Sequence, residues 1–201
     1  MSGDQPCTSG ELLARAISGD AAAFGTLVRR HQRSVYSLAL RMLTDRHQAE
    51  DLAQEVFLQL YRSLASVESE EHLGFWLRRV TMHRAIDRLR REPRYLTSTL
   101  ADAELLAGEA PDADPILERR LRGLLEELAP AARAVVVLRY QEDLDPAEIA
   151  RTLKMPVNTV KSHLKRSLAQ LREALTAPGP GGDGDRPAPP QPLPSGHRTL
   201  V

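Results

Sequence analysis

Eleven residues, PVNTVKSHLKR from Pro156 to Arg166, gather an amide, two hydroxyls, a histidine and three cations. Near the start of a helix, these groups reach phosphate oxygens and base edges in a DNA major groove. A second cationic concentration lies upstream, where Arg78, Arg79, Arg84, Arg88, Arg90, Arg91 and Arg94 face only Asp87 and Glu92 in 72–94. In 146–176, Arg151, Lys154, Lys161, Lys165, Arg166 and Arg172 likewise face only Glu148 and Glu173. Two separated cationic faces suit a ligand with two phosphate-rich contact zones, although a helix can carry such charge merely for solvation. Catalytic chemistry has less support. The chain shows no glycine-rich phosphate loop, nucleophile motif or paired metal ligands, so we expect no cofactor, no metal site and no enzyme activity. His83 sits among arginines with no second ligand at metal spacing, which argues against zinc.

The whole chain is nonetheless neutral, with 27 basic and 27 acidic residues in 201. The balancing acid lies in 42–71, where Asp45, Glu50, Asp51, Glu55, Glu68, Glu70 and Glu71 outnumber Arg46 and Arg62, and in 95–117, which has five acids and no base. No apolar run reaches the roughly 18 residues of a membrane span, and MSGDQPCTSGE lacks the basic end and apolar stretch of a secretory signal. A cytoplasmic protein without membrane insertion is expected. The single cysteine, Cys7, has no second thiol for a disulfide or a redox motif, and is read as incidental.

To position the two cationic faces the chain must be helical, and its apolar spacing is helical almost throughout, with no sustained strand-like alternation. We therefore expect an all-α protein of two small helical domains joined by an acidic flexible linker, the C-terminal one containing a helix-turn-helix. The expected divisions are a flexible N-terminus over 1–9, a first domain over 10–92, a linker over 93–114, a second domain over 115–176 and a disordered tail over 177–201, rich in Pro and Gly. Thr8 and Glu11 form a capping box for a first short helix, and Gly19-Asp20 breaks before a long second one. There Phe24, Leu27, Val28, Tyr36, Leu38 and Leu40 supply buried positions. Asp45 and Gln48 open a third helix with Leu52, Val56, Leu60 and Leu64 recurring every four residues. A polar loop, ESEEHLG, precedes a fourth helix, FWLRRVTMHRAIDRLRR. Asp114-Pro115 starts ILERRLRGLLEEL, and Pro130 starts AARAVVVLRY.

Asp145 and Glu148 make a capping box for PAEIARTL, KMP turns the chain, and a longer helix follows, which is helix-turn-helix spacing. Val160, Leu164, Leu168, Leu171 and Leu175 form an apolar stripe, leaving Asn158, Thr159, Lys161, Ser162, His163, Lys165 and Arg166 outward. Lys154 stands where this turn usually has glycine, so left-handed backbone there would cost about 1–2 kcal/mol.

Taken together, AEDLAQEVFLQLY (49–61), FWLRRVTMHRAIDRLRR (75–91) and DPAEIARTLKMPVNTVKSHLKR (145–166) resemble the extracytoplasmic-function (ECF) group of sigma-70 family factors. NTVKSHLKR alone also resembles LuxR-type regulators, which would explain 115–176 but leave the arginine-rich fourth helix without a purpose. The sigma resemblance covers about residues 10–175. It implies a bacterial initiation factor that binds core RNA polymerase, recognises promoter DNA at minus-35 and minus-10 elements and helps melt the latter; it admits an anti-sigma factor as a further partner. The resemblance assigns Asp51, Gln54 and Glu55 to core-polymerase binding, and at i, i+3 and i+4 they share a side of their helix. It assigns Arg79, His83, Arg84 and Arg88 to the minus-10 element, and Asn158, Thr159, Lys161, Ser162, Lys165 and Arg166 to the minus-35 element. Asp87, whose charge opposes phosphate, is expected to brace neighbouring arginines. Trp76 can pack in the core or stack beneath an unpaired base. The acidic linker can imitate a polyanion in a polymerase channel or serve as a tether.

Overall fold

The computed structural model describes residues 9–91 and 115–176. Among the described residues all regular structure is helical: α1 (Ser9–Ile17), α2 (Ala21–Leu43), α3 (Arg46–Ser63) with a 3₁₀ turn at Leu64–Ser66, α4 (Glu70–Arg91), α5 (Pro115–Glu127), α6 (Pro130–Gln141), α7 (Pro146–Leu153) and α8 (Val157–Thr176). Cys7, Thr8 of the first expected capping box, Asp114, the 93–114 segment and the 177–201 tail lie outside the described residues.

The helices start where side chains satisfy orphan amides. Gly19 turns with φ +97°, and Asp20 Oδ1 then accepts from the amides of Ala22 and Ala23 at 2.9 and 3.0 Å. Asp45 Oδ1 accepts from Gln48 N at 2.8 Å to open α3. Helix α4 begins at Glu70, not at Phe75, because Ser69 Oγ accepts from His72 N at 3.1 Å and caps a turn that its polar composition disguised as loop.

Leu52, Val56 and Leu60 of α3 and Leu64 of the 3₁₀ turn are buried, as their four-residue recurrence requires, and pack with Leu27, Leu38 and Met42 of α2 and Leu73, Leu77 and Met82 of α4. Phe24, Val28 and Tyr36, expected inside, are half-buried. Trp76 packs half-buried against this core, the first of its two sequence readings. Helix α6 is inside on every side: Ala132 through Leu138 are all buried. A helix apolar all round must be enclosed by several neighbours. Here these are α7 and α8 on one side and α2 and α4 on the other, so the apolar core runs without a break from α1 to Val160 of α8.

The seam between α1–α4 and α5–α8 also holds polar contacts. Gln141 Nε2 donates to Ser37 Oγ at 2.7 Å. Arg133, only 1% exposed, donates through Nη1 to the carbonyl of Met42 and through Nη2 to that of Glu126 at 2.6 Å.

Lys154 has φ 52° and ψ 48°, left-handed as the missing glycine implied, and its side chain is exposed. Relief of about 1–2 kcal/mol of left-handed strain, less about 0.5–1 kcal/mol for glycine's greater freedom when unfolded, leaves a net gain. Lys154→Gly is therefore expected to raise stability by about 0.5–1 kcal/mol, seen as a higher urea midpoint at unchanged slope.

Candidate nucleic-acid and polymerase interfaces

Helix α7 is held at its start by a reciprocal cap. Asp145 Oδ1 accepts from the amides of Ala147 and Glu148 at 2.7 and 2.8 Å, and Glu148 Oε2 accepts from Asp145 N at 2.8 Å. Ile149, Leu153 and Val160 are buried between α7 and the rest of the domain, which fixes the angle at which α8 leaves the turn. On α8, Asn158, Lys161, Ser162, Lys165 and Arg166 are exposed and Thr159 is half-buried at the margin. The inward stripe is Val160, Leu164, Ser167 and Leu171, with Leu175 half-buried at its end. Leu168, expected on it, is 36% exposed, and Ser167 takes its place. At 100° per residue, position 167 lies within about 20° of Val160 whereas 168 is about 80° away. His163 is half-buried, and desolvation, aided by the Arg166 charge, holds its pKa below the usual histidine value. In its neutral form the ring brings one donor and one acceptor to this face and no charge.

Helix α4 carries the second cationic set, and here the structure distributes the expected residues unevenly. His83 Nε2 lies 3.2 Å from the carbonyl of Thr152 on α7, so the ring donates across the seam. Arg79 is half-buried on the same helix. Arg84 and Arg88 point to α3: Glu55 accepts from Arg84 Nη1 at 2.7 Å and from Arg88 Nη2 at 2.6 Å. Asp87, expected to brace these arginines, is exposed, and Glu55 does so instead. Arg78 approaches Glu142 of the α6–α7 connection at 3.7 Å. Burial pushes the Glu142 carboxyl above its ordinary pKa, and the Arg78 charge partly reverses that. Arg90 and Arg91, which the sequence-based set omitted, end α4 fully outward. Arg91 lies about 120–140° around the helix from the buried Ala85 and Ile86, which is the helical signal that could have found it.

On α3, Asp51 and Gln54 are exposed, and Glu55, half-buried one turn on from Asp51, turns its carboxylate toward α4. Gln54 instead borders a groove of about 830 Å³ between α2 and α3, floored by Phe24, Tyr36 and Phe57 and flanked by Leu58 and Tyr61. Leu58 and Tyr61 are 58% and 66% exposed, and Tyr61 meets Phe24 edge-on with ring centroids 5.2 Å apart. The sequence reading passed over both because they lie off the Leu52–Val56–Leu60–Leu64 stripe. Large apolar residues on the second side of an amphipathic helix are a signal for a partner.

Described residues that are helical throughout and present a capped helix-turn-helix and a second basic helix have the architecture of a DNA-binding protein. Residues 27–95 match the family Sigma-70 region 2, and residues 118–171 match Sigma-70, region 4. The ECF RNA polymerase sigma factor SigW of Bacillus subtilis is 32% identical over 171 residues, covering 78% of this chain and 91% of that protein. SigE of Mycolicibacterium smegmatis is 36% identical over 167 residues, covering 79% of this chain and 65% of that longer protein. Among solved structures, CnrH in complex with the cytosolic domain of CnrY superposes with a TM-score of 0.62 at 25% identity, covering 84% of this chain and 97% of CnrH. RpoE of Bartonella quintana, in complex with the anti-sigma factor NepR, shares the fold at 17% identity with a TM-score of 0.62, covering 77% of this chain and 97% of RpoE. The chain belongs to the ECF group of the sigma-70 family, the initiation factors that direct RNA polymerase to particular promoters.

Proposed function

We propose that this sigma factor divides its work among three surfaces. Helix α8 meets the minus-35 element through Asn158, Thr159, Lys161, Ser162, Lys165 and Arg166. Helix α4 meets the minus-10 element through Arg79, His83, Arg84 and Arg88. Asp51 and Gln54, with the groove beside them, seat core polymerase. The two halves correspond to a region-2 domain over 10–92 and a region-4 domain over 115–176, joined by 93–114. The observation that carries the reading is the outward row on α8: five exposed polar or cationic residues opposite buried Val160, on a helix whose first turn projects from a rigid cap and turn. That is the arrangement a recognition helix needs to enter a major groove. RNA synthesis belongs to the polymerase, so this chain acts as a non-catalytic factor. It acts in the cytoplasm where its polymerase is, in keeping with the finding that no helix among the described residues is long and apolar enough to cross a membrane. The complexes of CnrH and RpoE support an anti-sigma factor as a further partner.

Transcription by purified bacterial core polymerase with and without the chain, followed by mapping of start sites, tests the assignment; core-only start sites in both reactions would refute it. The groove makes a sharper forecast. Leu58→Glu puts a charge on an apolar contact without touching the core, so helical circular dichroism should persist while affinity for core polymerase falls at least about tenfold. Undiminished binding would move the polymerase surface elsewhere.

A further inference from the structure

We propose that Glu55 is the internal counter-ion of the α4 DNA face: its carboxylate holds Arg84 and Arg88 while no nucleic acid is bound and cedes them to a phosphodiester group of DNA. This rests on the reading of Arg84 and Arg88 as DNA-facing. The division of each guanidinium carries it. Arg84 gives Nε to Gln59 Oε1 at 2.9 Å and Nη1 to Glu55 Oε2 at 2.7 Å. Arg88 gives Nη1 to the carbonyl of Gln48 at 3.0 Å and Nη2 to Glu55 Oε1 at 2.6 Å. Each arginine thus has one neutral acceptor and one anionic acceptor. The neutral acceptors, both on α3, keep the two guanidiniums in place when the carboxylate withdraws. The anionic one is exchangeable, because a phosphate offers a guanidinium fork the same pair of oxygens as a carboxylate.

Exposure permits the exchange. The side chains of Arg84, Arg88 and Glu55 are 39%, 22% and 45% exposed, so an incoming anion reaches them without opening the core. Ion pairs this accessible are weak and screened by salt. One carboxylate shared between two guanidiniums also leaves a positive charge over, which draws a further anion. Any DNA must displace Glu55 before it gains these arginines. A promoter offsets that cost with its specific contacts, whereas arbitrary sequence does not, so Glu55 suppresses sequence-independent binding.

Glu55→Gln in the full chain tests this, since glutamine keeps the shape and removes the charge. Binding of a promoter-free duplex, followed by fluorescence anisotropy across a KCl series, is expected to tighten about three- to tenfold near 0.1 M salt. The log–log salt slope should steepen by about 1–2 as two arginines become available to phosphates. Glu55→Asp, too short to span both guanidiniums, should give a smaller gain; because it keeps a carboxylate, it also serves as the probe should the glutamine variant fold poorly. Combining E55Q with R84Q and R88Q should abolish the gain. Unchanged or weaker binding by both Glu55 variants overturns the proposal, as does a gain that survives loss of the arginines, which would reflect net charge alone. The underlying reading fails separately: if R84Q/R88Q holoenzyme uses minus-10 variants as the unaltered one does, these arginines do not face DNA, whatever E55Q does.

Discussion

Arg133→Ala is expected to destabilise the fold by about 3–4 kcal/mol, the largest effect of any single substitution on the seam. A buried guanidinium carries a severe desolvation cost that its partners must offset. Part of that compensation comes from helix ends. Met42 is the penultimate residue of α2 and Glu126 the penultimate residue of α5, so the carbonyls that Arg133 binds are among the last four of each helix, which have no intrahelical donor. Each helix C-terminus carries about half a negative charge, and two of them converging on one guanidinium come close to neutralising it. Alanine strands the Met42 carbonyl in a buried place and that of Glu126 in a half-buried one, and leaves a void the length of the arginine side chain. Urea denaturation followed by circular dichroism measures the loss, and calorimetry should show α5–α8 melting ahead of α1–α4. A loss under about 1 kcal/mol, with one cooperative transition, would show that the carbonyls find other donors.

Lys161→Ala and Arg166→Ala should differ from each other in kind. Lys161 is in the second turn of α8, near its N-terminus, and it is exposed. As a base reader its loss should cost about 1–3 kcal/mol and relax preference at one minus-35 position. Arg166 lies farther along, its Nε on the carbonyl of Ser162 at a long 3.3 Å, a tether too weak to keep it from a phosphate. Its loss should weaken all sequences alike and flatten the salt slope by about 1. Neither change should unfold anything, since both side chains lie away from Val160 and Leu164. Promoters substituted base by base and transcribed with each variant provide the test. Altered minus-10 preference with minus-35 preference intact would show the helix to be misassigned.

Local rules carried the sequence reading a long way. The caps at Asp20, Asp45 and Asp145, the strained turn at Lys154 and the α3 stripe depend on neighbours within a few residues, and each is where the sequence placed it. Failures came where a neighbour was distant. Spacing put Glu55 beside Asp51 and Gln54 but gave no sign of its bonds to Arg84 and Arg88, residues about thirty positions away. The same holds for Leu58 and Tyr61, whose environment exists only once α2 lies alongside. The unbroken core was foreshadowed by AVVVL in α6, a run too apolar for a helix with one solvated side. A residue-by-residue search for stripes does not weigh that signal. Leu168 shows the smaller error, an assumed four-residue step where the helix advances by 3.6.

On the proposed assignments, the 3.2 Å between His83 and Thr152 has a consequence on the scale of a promoter. By their numbering the two elements are about 25 base pairs apart, roughly 85 Å of duplex at about 3.4 Å per pair. A chain whose minus-10 helix touches its helix-turn-helix cannot occupy both, so the seam must part before both are engaged. Only the parted fraction of molecules is competent for two-site engagement, and the dissociation constant measured for it equals the intrinsic one divided by that fraction. A seam worth about 3 kcal/mol would therefore weaken apparent promoter affinity by about two orders of magnitude, and whatever holds the halves apart would return it.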